Sequence, residues 1–106
     1  MTKVSMYWQK LQIEIEGHAG YAEKGNDIVC AAESMLAYAL AGVLEDAQQR
    51  GRTGFRHREG DGKMVLSADP NMGSSQEIKA YFRMAVMGFR MLREQYPQHI
   101  EIREVM

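Results

Sequence analysis

The stretch Phe55-Arg56-His57-Arg58-Glu59-Gly60-Asp61-Gly62-Lys63-Met64-Val65-Leu66-Ser67-Ala68 places two short runs on either side of Glu59-Gly60-Asp61-Gly62. Asp-Gly between two such runs is a strong hairpin signal, because both residues tolerate the positive φ of a tight antiparallel turn. It predicts strands over 55–58 and 63–68. Upstream, Leu11, Ile13 and Ile15 alternate with Gln12, Glu14 and Glu16. That period of two describes a strand with one buried and one solvated face. An apolar and aromatic run over 4–8 precedes it, and the pair reads as another hairpin turning near Gln9 and Lys10, without the usual Gly or Asn. Asp69-Pro70-Asn71 turns the chain after the later hairpin. Ile100 and Ile102, extended by Met106, alternate with charges and predict a last strand.

Two helical patterns separate these strands. Residues 17–26 hold Gly17, Gly20 and Gly25 with Glu23 and Lys24, and read as a flexible loop. Asn26 or Asp27 then caps a helix running to about Gln49, with Gly51 as its stop. Ile28, Val29, Ala32, Leu36, Ala39, Leu40, Val43 and Leu44 give that helix a broad apolar face. Ser74-Ser75-Gln76-Glu77 fits a capping box for a second helix, which runs to about Gln95 before Pro97. Ile78, Phe82, Ala85, Phe89 and Leu92 share its core stripe. Met84, Met87 and Met91 widen the apolar surface and are expected to fill core space, with a dimer face as the alternative. The order strand, strand, helix, strand, strand, helix, strand predicts an α+β two-layer sandwich: a mainly antiparallel sheet with two helices on one face. A chain of 106 residues fits one domain, 1–106.

With 13 basic and 14 acidic residues the formal net charge is −1, which gives no bulk attraction to nucleic acid or to an acidic membrane. Arg50, Arg52, Arg56 and Arg58 form a local basic cluster that reads as a solvated turn and edge strand, so direct nucleic-acid binding is not expected. No run reaches the roughly 18 apolar residues of a membrane span, and residues 1–10 lack the pattern of a secretory signal. A cytoplasmic protein with no membrane partner is expected. The single cysteine excludes an intrachain disulfide, and His18, His57 and His99 are too scattered to suggest a metal site.

Cys30 falls in the first turn of the first helix, where the partial positive charge of the helix start stabilises a thiolate. His18 ends a strand just before a loop that returns to that helix start, so it is within reach as a general base. Free amides beside Cys30 are expected to serve as an oxyanion hole. Each residue has a plainer reading too: a buried cysteine, a loop histidine, Asp27 as a helix cap, Ser34 bonding back to the Cys30 carbonyl. Spacing alone permits the pair without establishing it.

Gly17-His18-Ala19-Gly20-Tyr21-Ala22, then Gly25-Asn26-Asp27-Ile28-Val29-Cys30-Ala31-Ala32 and Ser34, resembles the signature of the ribosomal-processing cysteine protease family, Prp. The resemblance implies a cysteine endopeptidase that removes the N-terminal extension of a large-subunit ribosomal protein. It implies Cys30 as nucleophile and His18 as base, with Gly17, Ala19, Gly20, Gly25, Asp27 and Ser34 as supporting or substrate-binding positions. Gly20 and Gly25 match the glycines of a mobile loop over the substrate. A homodimer with no cofactor and no metal is also implied. The alternative is a non-catalytic module docked on a ribosome. The chain departs from the family at Glu33, where a small or apolar residue is usual, and in a shorter first hairpin. Glu33 raises the thiol pKa if it faces the site, whereas helix geometry can instead turn it to solvent.

Overall fold

Seven elements follow the predicted order: β1 (Thr2–Tyr7), β2 (Gln12–Glu16), α1 (Ile28–Gln49), β3 (Thr53–Gly60), β4 (Lys63–Pro70), α2 (Ser75–Gln95) and β5 (Ile100–Val105). They are described by a computed structural model covering residues 1–106. One five-stranded sheet has the order β3-β4-β2-β1-β5. Its β1–β2, β2–β4 and β3–β4 pairs are antiparallel. β5 lies parallel to β1, in register from Thr2↔Ile100 to Tyr7↔Val105. Both helices cover one face, closing a single core around Phe82, Phe89, Met6, Ile13 and Leu66, all fully buried. Each such side chain contributes about 1.5–3 kcal/mol through burial.

The two hairpins turn by different means. Asp61 and Gly62 both have positive φ, 52° and 73°, as a two-residue hairpin loop requires. The β1–β2 turn has no glycine, and Leu11 itself adopts φ 44° there. Its backbone strain is offset by burial of the side chain and by the bond from Ala68 N–H to the Leu11 carbonyl, 3.0 Å. Tertiary packing thus does what a turn residue does elsewhere.

Some local expectations are corrected. Asp69 and Pro70 continue β4 opposite Gly54 and Thr53, so the turn comes later, through Met72 and Gly73. Ser74 precedes α2 but makes no side-chain cap. Its expected partner Glu77 is drawn instead to Arg50 at 2.8 Å and to the Tyr81 hydroxyl, because a charged guanidinium outbids a backbone amide for a carboxylate. Met84, Met87 and Met91 do not fill the core: they are exposed on the side of α2 opposite its buried stripe. Arg50 and Arg52 are paired with Asp46 and Glu77, which lowers the charge of the basic cluster.

α1 matters most for the site. It is long and apolar enough to cross a membrane by composition alone. Here its stripe Val29, Ala37, Leu40, Ala41, Leu44 and Ala47 is buried within the domain. α2 approaches it closely at Gly88, where a Cβ would lie 2.4 Å from a Leu36 methyl. That contact holds α1 against α2, with the α1 N-terminus between the β2–α1 loop and the β3–β4 hairpin tip.

Candidate active site

Asp27 organises the start of α1. One carboxylate oxygen accepts the amides of Val29 at 3.0 Å and Cys30 at 2.9 Å, and the other accepts those of Tyr21 at 3.0 Å and Ala22 at 3.3 Å. The residue therefore caps the helix and ties the preceding loop to it. The amides of Cys30, then those of Ala22 and Tyr21, hold its carboxyl below the ordinary carboxylate range.

The loop returns on the other side of the sulfur. Gly17 ends β2 at φ 90°, and its amide donates to the Gly62 carbonyl at 2.9 Å. A Cβ there would lie 2.8 Å from the Met1 carbonyl oxygen, so only glycine fits without backbone movement. Ala19 is buried, and its amide donates to Cys30 Sγ at 3.3 Å. Its carbonyl accepts from His99 Nδ1 at 3.0 Å. Tyr21 packs edge-on against both Tyr96 and His99. Tyr96 and His99 hold the loop from the far end of the chain, a role that no local pattern around them signals.

Two cavities meet at Cys30. One, of about 440 Å³, lies between α1 and the β3–β4 hairpin tip; the other, of about 490 Å³, lies under the loop beside Gly20, Gly25 and Asp27. His18, Cys30 and Ser34 line both. The positions singled out from the sequence, Gly17, His18, Ala19, Gly20, Gly25, Asp27, Cys30 and Ser34, are thus gathered around one half-buried sulfur. His18 is exposed and faces Gly62, and no hydrogen bond joins it to Cys30.

Two electrostatic expectations change. The amides of Val29, Cys30 and Ala31 are not free for an oxyanion, since Asp27 takes all three. Ala19 supplies the amide at the sulfur. Burial also pushes the Cys30 thiol up; the Ala19 amide pulls it down, and Asp27 and Glu33 push it up again. The partial charge of the helix start is answered by the carboxylate that caps it.

The family model of the cysteine protease Prp matches residues 1–101. The chain belongs to the Prp family. A structure of the ribosomal processing protease Prp from S. aureus, with a covalently linked product peptide, is 18% identical and superposes with a TM-score of 0.77, covering 99% of this chain and 100% of that one. SMU.848 from Streptococcus mutans is 24% identical with a TM-score of 0.67, covering 98% and 91%. A second S. aureus Prp structure, with a substrate peptide, is 17% identical with a TM-score of 0.68, covering 98% and 97%. At these identities the likeness is one of fold. No curated protein matches the sequence.

Glu33, where the chain departs from the usual Prp pattern, does not face solvent. It lies on the buried stripe of α1, four residues after Val29 and four before Ala37, and that spacing was the sequence signal for it. Oε1 accepts from the Thr2 hydroxyl at 2.8 Å and Oε2 has no partner. Burial pushes its carboxyl above the ordinary range. No group of three or more His, Cys, Asp or Glu side chains is placed to hold a metal ion.

Proposed function

We propose that the chain is a cysteine endopeptidase that removes an N-terminal extension from a large-subunit ribosomal protein. The observation that carries the reading is the half-buried sulfur of Cys30 at the meeting of two cavities, with an amide aimed at it and His18 on the shared wall. An extended peptide laid across both cavities brings a carbonyl carbon over Sγ. Because burial keeps the resting thiol protonated at neutral pH, a base is needed at the moment of attack. His18, brought to the sulfur by its loop, takes the thiol proton as the S–C bond forms. The Ala19 amide then follows the negative charge from sulfur to the carbonyl oxygen. His18 returns the proton to the leaving amine as the C–N bond breaks, leaving a thioester on Cys30. Water, deprotonated by His18, attacks the thioester and restores the thiol.

The reading includes action in the cytoplasm, where ribosomes are assembled, and a homodimer. The exposed methionines of α2 support the second point, since an apolar face of this kind is commonly an interface. The test is depletion in the host. Mass spectrometry of purified ribosomes should then show the extension retained, and complementation by Cys30→Ala should leave it retained. Normal trimming after depletion would contradict the proposal. Rescue by Cys30→Ala would favour a non-catalytic ribosome-associated module instead.

A further inference from the structure

Glu33 has no part in the proposed reaction, yet it stands in the wall of the cavity beside Cys30. It is only 5% exposed, and one of its oxygens is without a donor. Thr2 has one hydroxyl hydrogen and already gives it to the other oxygen. A buried carboxylate with an empty acceptor is costly, and a cation that brings donors relieves it. The terminal torsion of a glutamate is soft, so the carboxyl can turn either oxygen to the cavity it lines.

The rest of the cavity wall points to the same occupant. Glu59 and Asp61 stand on it with Glu33. The Tyr38 hydroxyl, 2.6 Å away, and His57 keep the Glu59 carboxyl below its usual range. Lys63 is the one lysine on the wall, and its ammonium is already held by Glu14 at 3.2 Å and Glu16 at 4.0 Å. His18 is the other basic side chain there, and the Met1 ammonium is a further positive charge acting on Glu33 without hydrogen-bonding to it. The balance is acidic, and carboxylates around a concave wall concentrate cations. Ile15 and Ala37 supply apolar surface for an alkyl stem. Glu33 follows Cys30 by three residues on the same helix, so the two side chains are neighbours, and whatever fills the cavity lies close to the scissile bond.

We propose that this cavity is a specificity subsite for a lysine or arginine side chain of the peptide substrate, with Glu33 as its buried acceptor. The proposal rests on the protease reading, and the experiment separates the two. Internally quenched peptides from a positional library are compared in pairs, lysine against norleucine at each position flanking the cleaved bond, on the wild type and on Glu33→Gln and Glu33→Ala. The same pairs are titrated calorimetrically into Cys30→Ala, with and without the Glu33 changes. At one position the wild type should favour lysine by about tenfold or more in kcat/KM, as a charge-assisted hydrogen bond implies. That ratio should fall toward one in both Glu33 variants, with a parallel loss in binding. Glu33→Gln keeps the shape and the Thr2 contact, so a fold defect in Glu33→Ala does not obscure the result. Cleavage with no lysine preference, or a preference that survives both substitutions, overturns the subsite and leaves the protease intact. Glu33-dependent lysine binding without cleavage overturns the protease and leaves the subsite. Absence of lysine-dependent binding and cleavage together overturns the subsite.

Discussion

α1 and α2 are nearly equal in length, 22 and 21 residues, and begin in opposite ways. At α1 the carboxylate of a single aspartate accepts four amides, two from the helix and two from the loop before it. Beyond Val29 the first turn is poorly buried, with Ile28 and Ala31 exposed. At α2 the cap serine makes no side-chain bond, and the first turn is held by burial of Ile78 and, one turn on, Phe82. One helix start is fixed by a capping carboxylate and borders the two cavities at Cys30; the other is fixed by packing together with the Glu77 ion pairs, and the cavity beside it holds no cysteine. A reaction centre needs groups kept accessible yet in place, which apolar burial cannot provide and directed hydrogen bonds can. The contrast therefore separates what the fold needs from what the chemistry needs.

The contrast predicts opposite signatures for substitutions at the two ends. His18→Ala should lower kcat/KM by about 10²–10⁴-fold while thermal melting stays within about 2 °C of wild type, since the side chain is exposed. Phe82→Ala should do the reverse. Urea unfolding should show a loss of about 3–5 kcal/mol, with kcat/KM per folded molecule unchanged. Asp27→Ala should fall between them. Its melting temperature should drop by about 4–8 °C through the lost cap, and hydrogen exchange at the Tyr21 and Ala22 amides should accelerate. Because the folded carboxyl titrates below the unfolded value, its contribution is present above about pH 4 and lost as pH falls further. The acid limb of the stability curve should therefore flatten in this variant. Ser74 is buried but its hydroxyl makes no cap bond, so Ser74→Ala should cost less than about 1 kcal/mol in unfolding; a cost as large as that of Asp27→Ala would break the contrast.

Much of this was legible in the sequence. The alternation of Ile13 and Ile15, the Asp61-Gly62 turn and the α2 stripe follow from local periodicity, so the element order and layers could be read directly. The α1 face was read less well, because Ile28, Ala39 and Val43 of the expected set are exposed while Glu33, Ala37, Ala41 and Ala47 are buried. The parallel pairing of β5 with β1 could not, because no local pattern names the partner of a last strand. Caps were the least legible feature. Ser74 and Glu77 have the right spacing for a box, but Arg50, remote in sequence, takes the carboxylate. The candidate positions came from the resemblance of the 17–22 and 25–34 stretches to the Prp signature, since closeness in the chain only permitted the pair of His18 and Cys30. Its electrostatics were not: Ala19 reaches the sulfur only through the fold of the loop, and His99 reaches Ala19 from 80 residues away. Glu33 was left open between the site and solvent for a different reason, because a charge on a buried stripe runs against the pattern by which stripes are recognised; the fold turns it to the site.

The start of α1 is a centre of covalent chemistry if it cleaves an extended ribosomal protein through Cys30. Incubating a purified large-subunit ribosomal protein carrying its extension with the wild type, and separately with Cys30→Ala of equal melting temperature, tests this by intact mass. The expected result is loss of the extension with the wild type and an unchanged mass with Cys30→Ala. Cleavage by Cys30→Ala at the wild-type rate would contradict it.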